Sequence, residues 1–227
     1  MHRTESEAPK IRGSRMKRLL LVAVATSLLC GPQLLAAVPA GANPDSLAIC
    51  CAWNVSLADD NLTYSITGGD STAQSEVNSA IQAWPSALSG KTPQLTSHPF
   101  TMTRVFTGTA DIEIRFKQGG GVIQGVTRRT FDGSGFVAHV RITISGKAFG
   151  TPNSAALIDQ ITKHESGHAL GLDHADFNGD LMSTTLSGGS DAISNCDING
   201  VLAAENWRFV DGSSSPALPS ATSVTCP

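Results

Sequence analysis

Apolar residues along this chain change their period several times, and each change marks an element. Residues 62–66 alternate and are β-prone, and Gly68-Gly69-Asp70 after them signals a turn. Over residues 73–88 the period becomes helical. Val77, Ala80, Ile81 and Trp84 share one face, Ser71 or Thr72 is available as a cap, and Pro85 reads as a stop. A polar loop over 89–99 leads into strands at 100–106 and 110–116. In the second strand Ile112, Ile114 and Phe116 point one way, and Asp111, Glu113 and Arg115 the other. Residues 119–135 read as a long glycine-rich loop, and 136–145 alternate again. A helix over 155–170, capped by Asn153 or Ser154, turns Leu157, Ile158, Ile161 and Leu170 toward a core. A last helix at 197–207 precedes a Ser/Pro-rich tail at 211–227. The order is β, α, several β, then two α, which predicts an α+β layer with helices covering one sheet.

The start of the chain has a different pattern. Residues 1–15 are polar and basic and read as an extension ahead of Met16. Met16-Lys17-Arg18 is followed by a nearly continuous apolar run over 19–38 and by Pro39-Ala40-Gly41-Ala42. This is the pattern of a secretory signal peptide over 16–40, cleaved after Ala40 or Ala42. Pro32 and Gln33 interrupt the run and no charged stop-transfer cluster follows, so a stable membrane anchor is not expected. Residues 41–60 then form an N-terminal strap ahead of a main domain at 61–210.

Export changes the charge. Beyond residue 40 there are ten basic and seventeen acidic residues, a net charge of −7. No basic patch is left to attract nucleic acid or an anionic membrane. Cys50, Cys51, Cys196 and Cys226 remain, an even number that suggests two disulfides in an oxidising compartment. Adjacent cysteines strain to pair with each other, so Cys50 and Cys51 are each expected to reach one of the distant pair, in an order the sequence leaves open.

The chemistry concentrates in His164-Glu165-Ser166-Gly167-His168-Ala169-Leu170-Gly171-Leu172-Asp173-His174. On a helix His164 and His168 project from one face, one turn apart, and can offer two nitrogens to one tetrahedral ion. Glu165 lies one residue round, placed to work beside the metal rather than on it. Gly171 can adopt the left-handed conformation that ends a helix and brings His174 back as a third ligand. That would leave one coordination position for water. His-Glu-x-x-His alone occurs by chance on amphipathic helices; the longer string, with its glycine at the break, is far more specific.

This string resembles the metzincin zinc-peptidase signature, with His164, Glu165, His168, Gly171 and His174 each on a motif position. Eight residues beyond His174, Leu181-Met182-Ser183 resembles the methionine turn of that clan. Within it the chain is most similar to matrixins, the matrix-metalloprotease-like family. Leu62-Thr63-Tyr64, the segment from Ala110 to Phe116, Phe131-Asp132-Gly133 and Val137-Ala138-His139 carry that similarity in order. The resemblance implies a metzincin-like α+β domain: a twisted, mostly parallel sheet with one antiparallel edge strand, packed on two long helices, the zinc helix and a C-terminal helix. It implies that residues 137–143 form the edge strand, so that Val137, Ala138, His139 and Val140 bind substrate by strand addition. Asp197 resembles a matrixin aspartate that bonds to the backbone below the site, a role compatible with capping a helix.

Two departures narrow the reading. Only His139 matches a ligand of the second, structural zinc of matrixins, so one catalytic zinc is expected. Asp132 stands at a calcium-ligand position, but its acidic partners are missing between Arg141 and Ile158, and calcium is unsupported. The expectation is a secreted, monomeric zinc endopeptidase acting on protein or peptide. The metal would supply a Lewis acid, and Glu165 would take the proton of the attacking water. Alternatives are a non-catalytic binding or adhesion module on the same fold, and an astacin-like or serralysin-like peptidase. Intact Glu165 argues against the binding module, which has no need of that carboxylate.

Overall fold

The computed structural model describes residues 44–117, 124–148, 151–185 and 189–227. The proposed signal segment, 16–40, lies outside them. The strap opens with β1 (Ser46–Ile49) and a short 3-10 turn (Val55–Leu57). Next come β2 (Asn61–Thr67), α1 (Ser71–Leu88), a short α2 (Pro93–Ser97), β3 (Thr101–Arg104), β4 (Ile112–Lys117), β5 (Gly125–Phe131) and β6 (Val137–Ser145). After the small pair β7 (Lys147–Ala148) and β8 (Thr151–Pro152) the chain forms α3 (Ala155–Ala169) and β9 (Leu172–Ala175). It closes with α4 (Asn195–Ala204), α5 (Asn206–Phe209) and β10 (Ser223–Thr225).

Five strands make the main sheet in the order β3-β2-β4-β6-β5. The pairs β2–β3, β2–β4 and β4–β6 are parallel, and β5 runs antiparallel to β6 at one edge. Alternation decides the two faces. Leu62, Tyr64, Ile112, Ile114, Val140, Ile142 and Ile144 are buried, and they join Val77, Ile81, Trp84, Leu88, Ile158 and Ile161 of α1 and α3 in one core. The opposite face is polar. There Glu113 gathers Arg115 (2.8 Å), Arg141 (3.1 Å) and His139 (3.8 Å). The α+β class and the mostly parallel sheet with its antiparallel edge are thus as expected.

The helix beside α3 in this core is α1, capped by Asp70, whose carboxylate accepts from Ala73 N at 2.8 Å, rather than by Ser71 or Thr72. Pro85 does not stop α1, which runs on to Leu88. The C-terminal helix α4 packs instead on a three-stranded sheet of order β10-β1-β9.

Two expectations need correction. Residues 137–143 are not the sheet edge, because β6 is paired on both sides, with β4 and with β5. Val137, Ala138, His139 and Val140 therefore have no free backbone edge for strand addition. Val137 is bonded to the strap through Ala52 O and Asn54 N, and Val140 N donates to Asp111 O. The edge is β5, inside the segment read as loop.

The cysteines also pair differently: Cys50 bonds to Cys51, and Cys196 to Cys226. The second bond and the β1–β10 pairing (Ser46 opposite Thr225) hold the tail against the strap. The strap is tied further by Glu205, fully buried, which accepts from Trp53 N at 3.1 Å and Trp207 Nε1 at 3.2 Å. Burial pushes the Glu205 carboxyl up to about 8. Asp60 and Arg208 form a buried ion pair between the strap and the last helices. Among the described residues no helix is long and apolar enough to cross a membrane.

Candidate metal centre

Ser154 caps α3, accepting from Leu157 N, and the helix then carries His164, Glu165 and His168 into the interior. The exposures of these three side chains are 7%, 5% and 9%. Each helix imidazole is tied by Nδ1 to a carbonyl from another segment: His164 to Leu181 O at 2.7 Å and His168 to Leu172 O at 3.1 Å. A carbonyl can only accept, so both Nδ1 atoms carry the proton and each Nε2 keeps its lone pair. Burial favours that neutral form. It lowers His164 and lowers His168 to about 3, with the neighbouring imidazoles adding to the effect.

Helix α3 ends at Gly171, whose φ of +90° is the left-handed conformation expected there. A side chain at this position would run into the Cys51 carbonyl and the Ala204 methyl. The turn leads directly into β9 and places His174 beside the other two rings, with centroids 5.4 Å from His164 and 4.8 Å from His168. One ligand atom from each of the three imidazoles lies within 4.8 Å of the others. Three converging imidazoles, two of them with their tautomer fixed by a carbonyl, are a donor set suited to zinc.

Below the rings lies the turn that contains Met182. Ala175 N donates to Met182 O at 2.9 Å, so the turn is bonded to the strand that carries His174. The sulfur packs on Gly167, where any Cβ would collide with it and crowd Trp84. Asp180 Oδ1 accepts from Met182 N (2.9 Å) and its Oδ2 from Ser194 Oγ (2.7 Å). Asp197 sits at the third position of α4 in a capping box with Ser194, its Oδ2 accepting from Ser194 N at 2.7 Å. Burial and the facing Asp180 carboxyl hold Asp197 well above the usual carboxylate range. The cap of α4 is thus Ser194 and Asp197 is its capping-box partner rather than the cap itself, while the bond to the methionine turn belongs to Asp180.

Glu165 meets β5. Thr127 Oγ1 donates to Glu165 Oε2 at 2.6 Å, and Gly125 leaves the space that the carboxyl fills. Burial raises this carboxyl to about 7, against the opposing effects of the Thr127 hydroxyl and the Arg129 charge. Arg129 donates from Nε to His168 O (2.8 Å) and from Nη2 to Leu172 O (2.7 Å).

Gly125, Thr127, Arg129, Gly167 and Asp180 were not singled out from the sequence. A usable signal existed for β5: in Gly125-Val126-Thr127-Arg128-Arg129-Thr130-Phe131 the β-prone residues Val126, Thr127, Thr130 and Phe131 form a short run. Of the other expected sites, Asp132 Oδ1 accepts from Ser134 N and Phe136 N, which makes it a turn former. His139 faces Glu113 on the open side of the sheet, away from the three clustered histidines.

The comparisons with known proteins bear on this site. Among solved structures, two of myroilysin are similar. One is 21% identical, covers 57% of this chain and 54% of its own, and has a TM-score of 0.36; the other is 20% identical, with 77% and 73% covered and the same score. The chain thus spans about half the length of the first. A GM1-bound AB5 holotoxin structure matches at 16% identity over 70% of this chain and 90% of its own, with a TM-score of 0.41. Scores this low carry no argument of their own. The family model described as Matrixin, by contrast, matches residues 52–204, more than half of the chain and all of the site. The chain belongs to the matrixin family of zinc metallopeptidases.

Proposed function

We propose that this protein is a secreted endopeptidase that hydrolyses peptide bonds in proteins or peptides with one zinc ion and with Glu165 as general base. The observation that carries the reading is the convergence of His164, His168 and His174 next to a buried carboxyl, Glu165, that is not a member of that cluster. Zinc held by the three imidazoles would supply a Lewis acid for water and for the scissile carbonyl.

The chain's own groups do the remaining work. The Glu165 carboxylate accepts the proton of the attacking water and passes it to the leaving amine. Burial eases the protonated form through which the carboxyl must pass between the two transfers. Thr127 keeps that carboxylate oriented by its hydrogen bond. The edge of β5, unpaired among the described strands, offers backbone donors and acceptors to an extended substrate, which would add as a further strand. Export rests on the basic start at Met16 and the apolar run over 19–38.

Casein hydrolysis tests the reading. Activity should be recovered from the medium of expressing cells. It should be abolished by a chelator and fall by roughly 10²–10⁴-fold in Glu165→Gln with bound zinc retained. An unchanged rate in the glutamine variant would refute the role of Glu165. A zinc-loaded wild type without activity would favour the binding module.

A further inference from the structure

The guanidinium of Arg129 spans both sides of the Gly171 turn. It reaches the His168 carbonyl at the end of α3 and the Leu172 carbonyl at the start of β9. The Leu172 carbonyl is also the acceptor for His168 Nδ1. One oxygen therefore receives both the arginine and the imidazole, and a shift of that oxygen would turn the ring. Beyond Leu172 the same strand carries His174 two residues on.

Nε and Nη2 lie along one edge of a planar fork, so they fix two acceptors in a single mutual geometry, which a lysine ammonium cannot do. A cation is favourable at a helix C-terminus, and the Glu165 and Asp173 carboxylates lie near enough to act on this one. The same charge beside a metal dication is repulsive, so attraction to the metal does not explain its presence. Geometry does.

We infer that Arg129 is a positioning residue for the metal centre: by holding the His168 and Leu172 carbonyls together it orients the His168 imidazole and sets the turn that delivers His174. This rests on the zinc reading proposed above. It also gives β5 two tasks, since the strand whose edge, unpaired among the described strands, is offered to substrate carries on its inner face the side chains that hold Glu165 and His168.

Zinc affinity, measured by competition with a chromophoric chelator on the full chain, separates positioning from general support of the fold. Arg129→Met should weaken zinc binding by roughly 10–100-fold, the usual cost of losing a group that orients a metal ligand. Arg129→Lys should recover little of that loss. The visible absorption bands of the cobalt-substituted protein should shift in both variants. Arg128→Met, which removes an exposed side chain from the other face of the same strand, should leave affinity and bands unchanged.

Wild-type affinity in Arg129→Met would overturn the inference and leave the zinc reading intact. Full recovery in Arg129→Lys would show that charge rather than the fork matters, and would overturn it as well. If the methionine variant does not fold, the lysine variant decides alone. A wild-type chain that binds no zinc would overturn both readings.

Discussion

The three clustered histidines are held in two different ways. His164 and His168 stand on a capped, buried helix, and each ring is fastened to a carbonyl from another part of the chain. His174 stands on a short strand with 43% of its side chain exposed, and its ring nitrogen lies 3.7 Å from Asp173 Oδ1. Two of the three are thus set by the fold itself, before any ligand arrives. The third is placed by the backbone turn at Gly171 and by the bond between β9 and the methionine turn. The difference teaches that the motif joins two devices, a rigid face and a hinge with fixed direction, and that they should fail under different conditions.

Acid should separate them most strongly. In the metal-free protein burial depresses His168 to about 3, below its ordinary value near 6.5. Between those values the unfolded chain takes the proton and the folded chain does not. The contribution of this one group to stability therefore falls as the pH drops from about 6.5 to about 3, by an amount on the order of 5 kcal/mol. Denaturant melts of the metal-free wild type and of His168→Gln across that range should differ by this slope, because the raised carboxyls of Glu165, Asp197 and Glu205 act in the opposite direction in both proteins. Parallel pH profiles would mean that His168 is not held neutral by the fold.

Truncation should give a smaller contrast at neutral pH. His168→Ala leaves a buried void and deprives the Leu172 carbonyl of one donor. Metal-free stability should fall by about 1–3 kcal/mol. His174→Ala removes an exposed ring and should stay within about 0.5 kcal/mol. Equal losses in urea melts would erase the distinction between helix-held and strand-held histidines.

Legibility followed the same division. The helix that carries His164 and His168 is legible because its apolar period, its cap at Ser154 and its glycine break are all local. Met182 is legible from spacing. The strand β5 is not, because its inward side chains are Gly125, Thr127 and Arg129. They face hydrogen-bonding groups of α3 rather than a hydrophobic core, so no apolar alternation marks the strand. With β5 unmarked, β6 reads as the edge, and Val137–Val140 take on a substrate role that their pairing excludes.

The cysteine pairing is not legible in the sequence for a related reason. The Cys196–Cys226 bond and the β1–β10 pairing join segments far apart in sequence, and spacing does not encode such contacts. Asp180 and Asp197 show the limit for single residues. Both are buried acids near the methionine turn, and only the contacts tell which one bonds to the Met182 backbone and which completes a capping box.

Metal content tests the whole arrangement most directly. The protein, dialysed against metal-free buffer and analysed by atomic absorption, should hold one zinc per chain. The same measurement on His164→Ala, folded by thermal melt, should find none. Two zincs per chain would show a second site that the clustered histidines do not provide, and a zinc-free wild type would contradict the metal centre itself.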